Sequence, residues 1–466
     1  MDGDVRINPF LSGNFAPVRS EDDLVLPVTG SLPPGLRGTL YRNGPNPQFD
    51  PRDANYHWFV GDGMLHAFTV GDGQVRYRNR WVRTNKWTLE HEAGRALFGS
   101  WGNPMTTDPS VLGVISEGVA NTNIITHGGH LLALEEAHAP FEMSGPDLET
   151  IGTYDLGGKV TAHPKTCPFT GELVFFAYAD DAMPLSNKIS WGLADKEGRL
   201  LKRETFEAPY CAMIHDGIVT EHHIVIPVLP LSGSLPRAMS GKPAFAWEPA
   251  LGGHLAVIRR DQGVSSLRWI EVPACYVFHV MNAFEQDNGE QGETIVADVM
   301  RYDTAPLFPN PDGTKGENAA AYLTRWTIDL AASAVSQTPL DDTAGEFPRF
   351  DERFAGMPYR HGWLVGQSLK PGDFRSNIVV HLDLATGARK TWTVPKGDAI
   401  SEAVFTPAGP DAAEGEGWLT AVIYRAAEDV SEFVVFDAQA VDKGPIAGAK
   451  LPRRVPFGFH GQWVRG

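Results

Sequence analysis

Apolar and polar residues alternate along this chain in short β-prone arms joined by Gly, Asp or Asn turns, and helical periodicity is scarce. Seven strand–turn–strand signals stand out. Their connections fall at Gly71-Asp-Gly-Gln, near Pro146-Asp-Leu-Glu, at Lys196-Glu-Gly-Arg, at Asp261-Gln-Gly-Val, between Leu330 and Ala334, at Ala385-Thr-Gly-Ala, and between Asp437 and Gly444. Intervals on the order of 50 to 75 residues leave room for four strands and an insertion per unit. Seven such units predict an all-β fold, a seven-bladed β-propeller. Loop and helix insertions are expected to cap one face, with 307–321 and 395–417 as the long insertions. No linker or composition shift divides the chain, so residues 1–466 are read as a single domain. Two stacked sandwiches would not explain why the signal persists to the C-terminus.

Composition is compatible with that reading. A hydrophobic content of 42% supplies a large core, and 49 glycines with 35 prolines, spread throughout, suit many tight turns. The net charge of −17 disfavours nucleic acid and anionic bilayer surfaces as partners. Three cysteines (Cys167, Cys211, Cys275) cannot all pair, and they read as reduced thiols of a cytoplasmic protein. No signal peptide is visible at the start, and no apolar run approaches the roughly 20 residues of a bilayer span. The apolar stretch 224–236 is read as a buried strand and loop, with peripheral membrane contact as its alternative. Oligomeric state is left open.

Four histidines sit in apolar strand-like contexts. They are His163 in Val160-Thr-Ala-His-Pro, His215 in Ala212-Met-Ile-His, His279 in Cys275-Tyr-Val-Phe-His, and His460 in Pro456-Phe-Gly-Phe-His. An imidazole in such surroundings needs a partner at each nitrogen. From 163 to 215 and from 215 to 279 is about one propeller unit each, and from 279 to 460 about three. Each histidine would then come from a different blade, and blades meet on the central axis, where one metal ion could bind all four. An all-imidazole site suits iron, copper or nickel better than structural zinc. Neutral ligands call for carboxylates on the far ring nitrogens, and Glu136, Glu346 and Glu402 are candidates because each sits beside apolar residues. His381 is a rival ligand, whereas His127, His130, His222 and His223 read as exposed. Neither a phosphate loop nor a Gly-x-Ser-x-Gly elbow occurs.

Several motifs together carry a resemblance. They are Asn8-Pro-Phe-Leu-Ser-Gly-Asn-Phe-Ala-Pro-Val, Tyr41-Arg-Asn-Gly-Pro-Asn-Pro, Gly61-Asp-Gly-Met-Leu-His, Ala162-His-Pro, Met213-Ile-His-Asp, Phe278-His-Val-Met-Asn-Ala-Phe-Glu, Glu346-Phe-Pro-Arg and Phe457-Gly-Phe-His-Gly. From residue 8 to the C-terminus the chain resembles the carotenoid cleavage oxygenase family. That resemblance implies one Fe(II) on the propeller axis held by His163, His215, His279 and His460, with Glu136, Glu346 and Glu402 behind them. It implies that Thr122 crowds an open metal position and that O2 is the co-substrate. The implied reaction is cleavage of a conjugated C=C bond into two carbonyl products. Stilbene- and isoeugenol-cleaving members resemble one another in a Phe, a Tyr and a Lys around a 4-hydroxyl. Here Phe59 matches, while Trp101 and Glu135 replace the Tyr and Lys. A Glu would repel a phenolate, although it can accept a bond from a neutral phenol. An apocarotenoid-like polyene is therefore the leading expectation for substrate, and a phenylpropenoid or stilbenoid alkene giving aromatic aldehydes is the alternative. A Lys at 135 would then be expected to favour hydroxylated stilbenes. A propeller that binds an apolar ligand without turnover is the remaining reading.

Overall fold

All seven hairpins form, and each occupies the same place in its sheet. The computed structural model describes residues 8–54, 56–99, 104–287, 289, 292–317, 319–367 and 375–466. Within them, seven antiparallel sheets of four to six strands, one per blade, make the ring of a seven-bladed β-propeller. Gly63–Gly71 with Gln74–Trp81, Lys188–Ala194 with Leu200–Glu207, and Ser376–Asp383 with Ala388–Thr393 are examples of the hairpins. In every sheet the hairpin supplies the third and fourth strands from the axis. The fourth strands face solvent, as in Ala388–Thr393, whose residues are nearly all exposed, so their polar positions and the turn before them mark the hairpins in the sequence. Inner strands such as Leu173–Tyr178 and His223–Val228 are buried throughout and read as unbroken apolar runs.

Numbered along the chain, blade 1 contains Gly38–Pro45 and the first hairpin. Blades 2 to 6 begin at Asn123–His127, Lys165–Thr166, Ile218–Val219, Tyr276–Asp287 and Gly345–Phe350. Blade 7 begins at Ala399–Ile400 and Val404–Pro407, which both pair with Gly417–Arg425. Closure uses both ends of the chain. The C-terminal strand Gly461–Arg465 pairs with Gly38–Pro45 as the innermost strand of blade 1. Asp23–Leu26 and Val28–Gly30 join the outer edges of blades 1 and 7. The ring is thus sealed without an open seam. Aromatic residues pack between blades; Trp363 of blade 6 is fully buried and stacks on Phe405 of blade 7, with centroids 4.6 Å apart.

One expected insertion is something else. The segment 395–417 holds the innermost strand of blade 7, Ala399–Ile400 and Val404–Pro407 interrupted at 401–403, followed by a connection to Gly417–Arg425, and its proline, glycine and acidic content disguised the strand. The cap over the axis comes instead from segments near residues 47–60, 86–99 and 116–122, with the helix Asn85–Ala93 among them. Thr84 caps that helix by accepting from the Trp87 N–H, and Gly94 ends it at φ 65°. The 224–236 stretch begins as a buried inner strand, as its simpler reading expects. Among the described residues no helix is long and apolar enough to cross a membrane.

Candidate metal centre

Each blade places one residue at the axis, from its innermost strand or the segment leading into it. In blade order these are His460, Thr122, His163, His215, His279, Glu346 and Glu402. Backbone irregularities do the aiming. The strand Tyr276–Asp287 shifts register around Val280, next to His279. A second shift lies between Glu346 and Arg349, where Phe347 takes φ 53°, a left-handed conformation costing on the order of 1–3 kcal/mol for a non-glycine residue. The Phe347 ring then lies 5.5 Å from that of His279 and 5.3 Å from that of His460.

The four imidazoles are buried, or nearly so, and their Nε2 atoms converge. Successive separations are 2.9 Å (His163 to His215), 3.2 Å (His215 to His279) and 3.0 Å (His279 to His460). Behind three of them stand glutamates from other blades. Nδ1 of His215 bonds Glu136, Nδ1 of His279 bonds Glu346 at 2.5 Å, and Nδ1 of His460 bonds Glu402 at 3.0 Å. A carboxylate on Nδ1 fixes the proton there and turns the Nε2 lone pair inward. Burial holds His163 well below its ordinary pKa and His460 down at about 4, so both are neutral ligand forms. Lone pairs facing one another at 3 Å repel, and a cation reconciles them. Nitrogens about 2.1 Å from a shared ion lie about 3.0 Å apart at right angles and about 3.4 Å apart at the tetrahedral angle. The observed separations of 2.9, 3.2 and 3.0 Å are those of nitrogens able to share one ion.

The glutamates are themselves held. The Tyr178 hydroxyl donates to Glu136 (2.5 Å) and the Tyr302 hydroxyl to Glu346 (2.8 Å). Burial, reinforced by these carboxylates, keeps both phenols far above their ordinary pKa and protonated. Glu402 accepts from the Gly461 N–H at 2.8 Å, with Arg349 3.6 Å away. Burial would raise its carboxyl, but Arg349 and His460 outweigh that and hold it at about 2. Tyr178, Tyr302 and Arg349 escaped the sequence reading. The only signal available was a polar-tipped residue inside an apolar run, as in Phe175-Phe-Ala-Tyr178.

Two cavities meet at the imidazoles. The first, about 470 Å³, is walled largely by apolar groups including Phe59, Val119, Leu185, Met213 and Phe459, and reaches Thr122 and His215. The second, about 440 Å³, touches His163, His279 and His460 and is lined by polar groups such as Lys165, Asp216 and Arg349. Thr122 is buried, its hydroxyl donating to Asn121 Oδ1 (2.9 Å) and its carbonyl accepting from the His460 N–H (3.2 Å). Phe59 packs on Phe459 with centroids 5.6 Å apart. Glu135 also faces this cavity, but its carboxylate is engaged: Oε2 accepts from the Val119 and Ala120 N–H groups, and Oε1 bonds His138. A Lys at 135 would break three bonds, which removes the simple expectation of a gained phenol contact. Trp101 lies outside the described residues.

The remaining histidines separate cleanly. His381 is buried in blade 6 with its Nε2 3.0 Å from His361 Nδ1, and is not part of the axial group. His222 is exposed as expected, whereas His127 and His223 are buried: hydrogen bonds to the Asp195 carbonyl and to Glu285 satisfy them there.

Comparison with known proteins agrees with this architecture. The family model described as Retinal pigment epithelial membrane protein matches residues 15–465. The chain is 39% identical to isoeugenol monooxygenase of Pseudomonas nitroreducens, covering 98% of both. It is 32% identical to a carotenoid cleavage oxygenase of Mycobacterium tuberculosis, covering 98% of this chain and 97% of the other. The crystal structure of Pseudomonas brassicacearum lignostilbene dioxygenase superposes with a TM-score of 0.92 at 34% identity, covering 98% of this chain and 99% of that one. This chain belongs to the carotenoid cleavage oxygenase family, the group of oxygenases that contains these relatives.

Proposed function

We propose that this chain is an Fe(II)-dependent oxygenase that cleaves the C=C bond of an aryl alkene of phenylpropenoid or stilbene type, consuming one O2 and yielding two carbonyl products. The observation that carries this reading is the convergence of four imidazole Nε2 atoms beside an apolar cavity. His163, His215, His279 and His460 would hold the ion, and Glu136, Glu346 and Glu402 would fix their tautomers. When bound, Fe(II) supplies the redox chemistry that activates O2. The overall change balances without a reductant: both oxygen atoms of O2 end in the two carbonyls formed from the alkene carbons. The protein's own part is positional. Phe59, Phe459, Val119 and Met213 exclude water and hold a flat conjugated ligand, and Thr122 narrows the space beside His460.

The aryl-alkene reading is placed first because relatives named for isoeugenol and lignostilbene match at 39% and 34% identity, above the carotenoid cleavage oxygenase at 32%. A linear polyene of apocarotenoid type is the second reading, favoured by the predominantly apolar wall of the first cavity. The domain reading is one unit over 1–466, supported by closure of the ring through both chain ends. A cytoplasmic setting is supported by three free, buried cysteines.

The test is incubation of the Fe(II)-loaded protein with isoeugenol, 4-vinylguaiacol, resveratrol and an apocarotenal, following O2 uptake and product masses. Aldehydes such as vanillin with one O2 consumed per alkene are expected. Apocarotenal cleavage alone would favour the polyene. No O2 uptake with any alkene would leave the non-catalytic ligand-binding propeller.

A further inference from the structure

Most of the first cavity is apolar, but charged groups line it too: Lys86 paired with Asp62 and Glu90, Lys159 bonded to the Ala179 carbonyl, and a further pair, Glu135 with His138, for which the metal centre has no use. Glu135 follows the second strand of blade 2, His130–Leu134, and its side chain is buried. Its Oε2 accepts from the N–H groups of Val119 (2.7 Å) and Ala120 (3.1 Å), in a turn where Ala120 has φ 48°. Its Oε1 bonds Nδ1 of His138, three residues on. Gly118, at φ 84°, closes this arrangement from the other side; any side chain there would collide with the Glu135 carboxylate and the His138 ring. Every oxygen of Glu135 is thus engaged in holding the turn and the imidazole. The His138 ring is about one-third exposed and lines the cavity, and its Nε2 has no partner among the described residues.

Burial disfavours charge on both groups, but their mutual attraction wins, leaving Glu135 below and His138 above its ordinary pKa. Lys159, whose Nζ donates to the Ala179 carbonyl (2.8 Å), opposes charge on His138, and Glu117 supports it. The result is a fixed imidazole that lines the cavity with its Nε2 unengaged by the described residues. The next residue along the chain, Glu136, bonds His215. Consecutive residues, Glu135 and Glu136, with Cα atoms about 3.8 Å apart, therefore hold His138 on the cavity wall and His215 in the metal centre.

We infer that His138, positioned by Glu135, forms a hydrogen bond through Nε2 with a phenolic hydroxyl on the aryl ring of the substrate, fixing which end of the molecule lies away from the metal. This rests on the aryl-alkene reading and specifies it as a hydroxyaryl alkene. An imidazole nitrogen that no protein group engages favours a ligand carrying the matching hydroxyl over one that blocks or lacks it.

The experiment uses ligands that contain no alkene, so it does not depend on turnover. Binding of 4-propylphenol and of its methyl ether, 4-propylanisole, to the iron-loaded protein is measured by calorimetry under argon. The wild-type protein is expected to bind the phenol about 10- to 100-fold more tightly. In His138→Ala and His138→Phe, with iron content checked for each, the two affinities should come within about twofold. Glu135→Gln, which keeps an acceptor for the turn but holds the imidazole less firmly than a carboxylate, should lose part of the preference. With a cleavable phenol, the same loss should appear in KM more than in kcat. Equal wild-type affinities, failure of both ligands to bind, or a preference that survives in both His138 variants would overturn the inference. Phenol preference through His138 without cleavage of any alkene would uphold it and refute the proposed function instead.

Discussion

Two kinds of His–Glu pair occur around the two cavities, and they differ in span. The axial pairs His215–Glu136, His279–Glu346 and His460–Glu402 join residues 79, 67 and 58 positions apart, from different blades. The pair His138–Glu135 is local, three positions apart, on the cavity wall. In the axial pairs the carboxylate turns Nε2 toward three other imidazoles; in the local pair Nε2 stands alone. The same two side chains thus make a converging ligand set where four imidazoles meet and a single cavity-lining nitrogen where one is solitary. Topology, not residue type, decides between the two.

The largest break in this comparison comes from removing an axial imidazole. His279→Ala should abolish iron retention, measured as metal per chain after desalting, and a normal iron content would contradict the ligand assignment. Glu402→Ala comes next. It leaves the Gly461 N–H and His460 Nδ1 without their acceptor in a buried site and removes one carboxylate beside Arg349, which keeps Glu352; the cost should be about 1–3 kcal/mol for each orphaned buried group, with metal binding weakened about 10- to 100-fold. Denaturant midpoints and chelator competition would read both. Glu135→Lys should cost about 1–3 kcal/mol by orphaning the Val119 and Ala120 N–H groups, with iron content intact. Loss of iron in that variant would erase the distinction between local and axial pairs. Tyr302→Phe removes one neutral donor to Glu346 and should cost about 0.5–1.5 kcal/mol with a small loss of metal affinity.

The outer hairpins were legible because solvent on one side imposes alternation and turns demand Gly, Asp or Asn. Inner strands were not, since burial on every side erases that pattern, and around 399–407 the flanking prolines, glycines and acidic residues hid the strand further. The four histidines could be grouped from apolar context and blade-length spacing. Their pairing with Glu136, Glu346 and Glu402 could be suspected but not assigned, because each bond crosses between blades. Tyr178 and Tyr302 were hidden by their resemblance to core aromatics. The reverse error occurred at Glu135, which was read as a free substituent facing substrate. Two turn N–H groups and His138 claim it instead, and no spacing rule exposes a backbone acceptor of that kind.

The central claim is that a single ion sits among four imidazole nitrogens on the propeller axis. X-ray absorption at the iron edge of the Fe(II)-loaded protein tests it most directly. The expected spectrum has four imidazole nitrogens about 2.1 Å from iron with no carboxylate oxygen from Glu136, Glu346 or Glu402 in direct contact. Fewer than four imidazoles, or a glutamate oxygen bound to iron, would contradict the account.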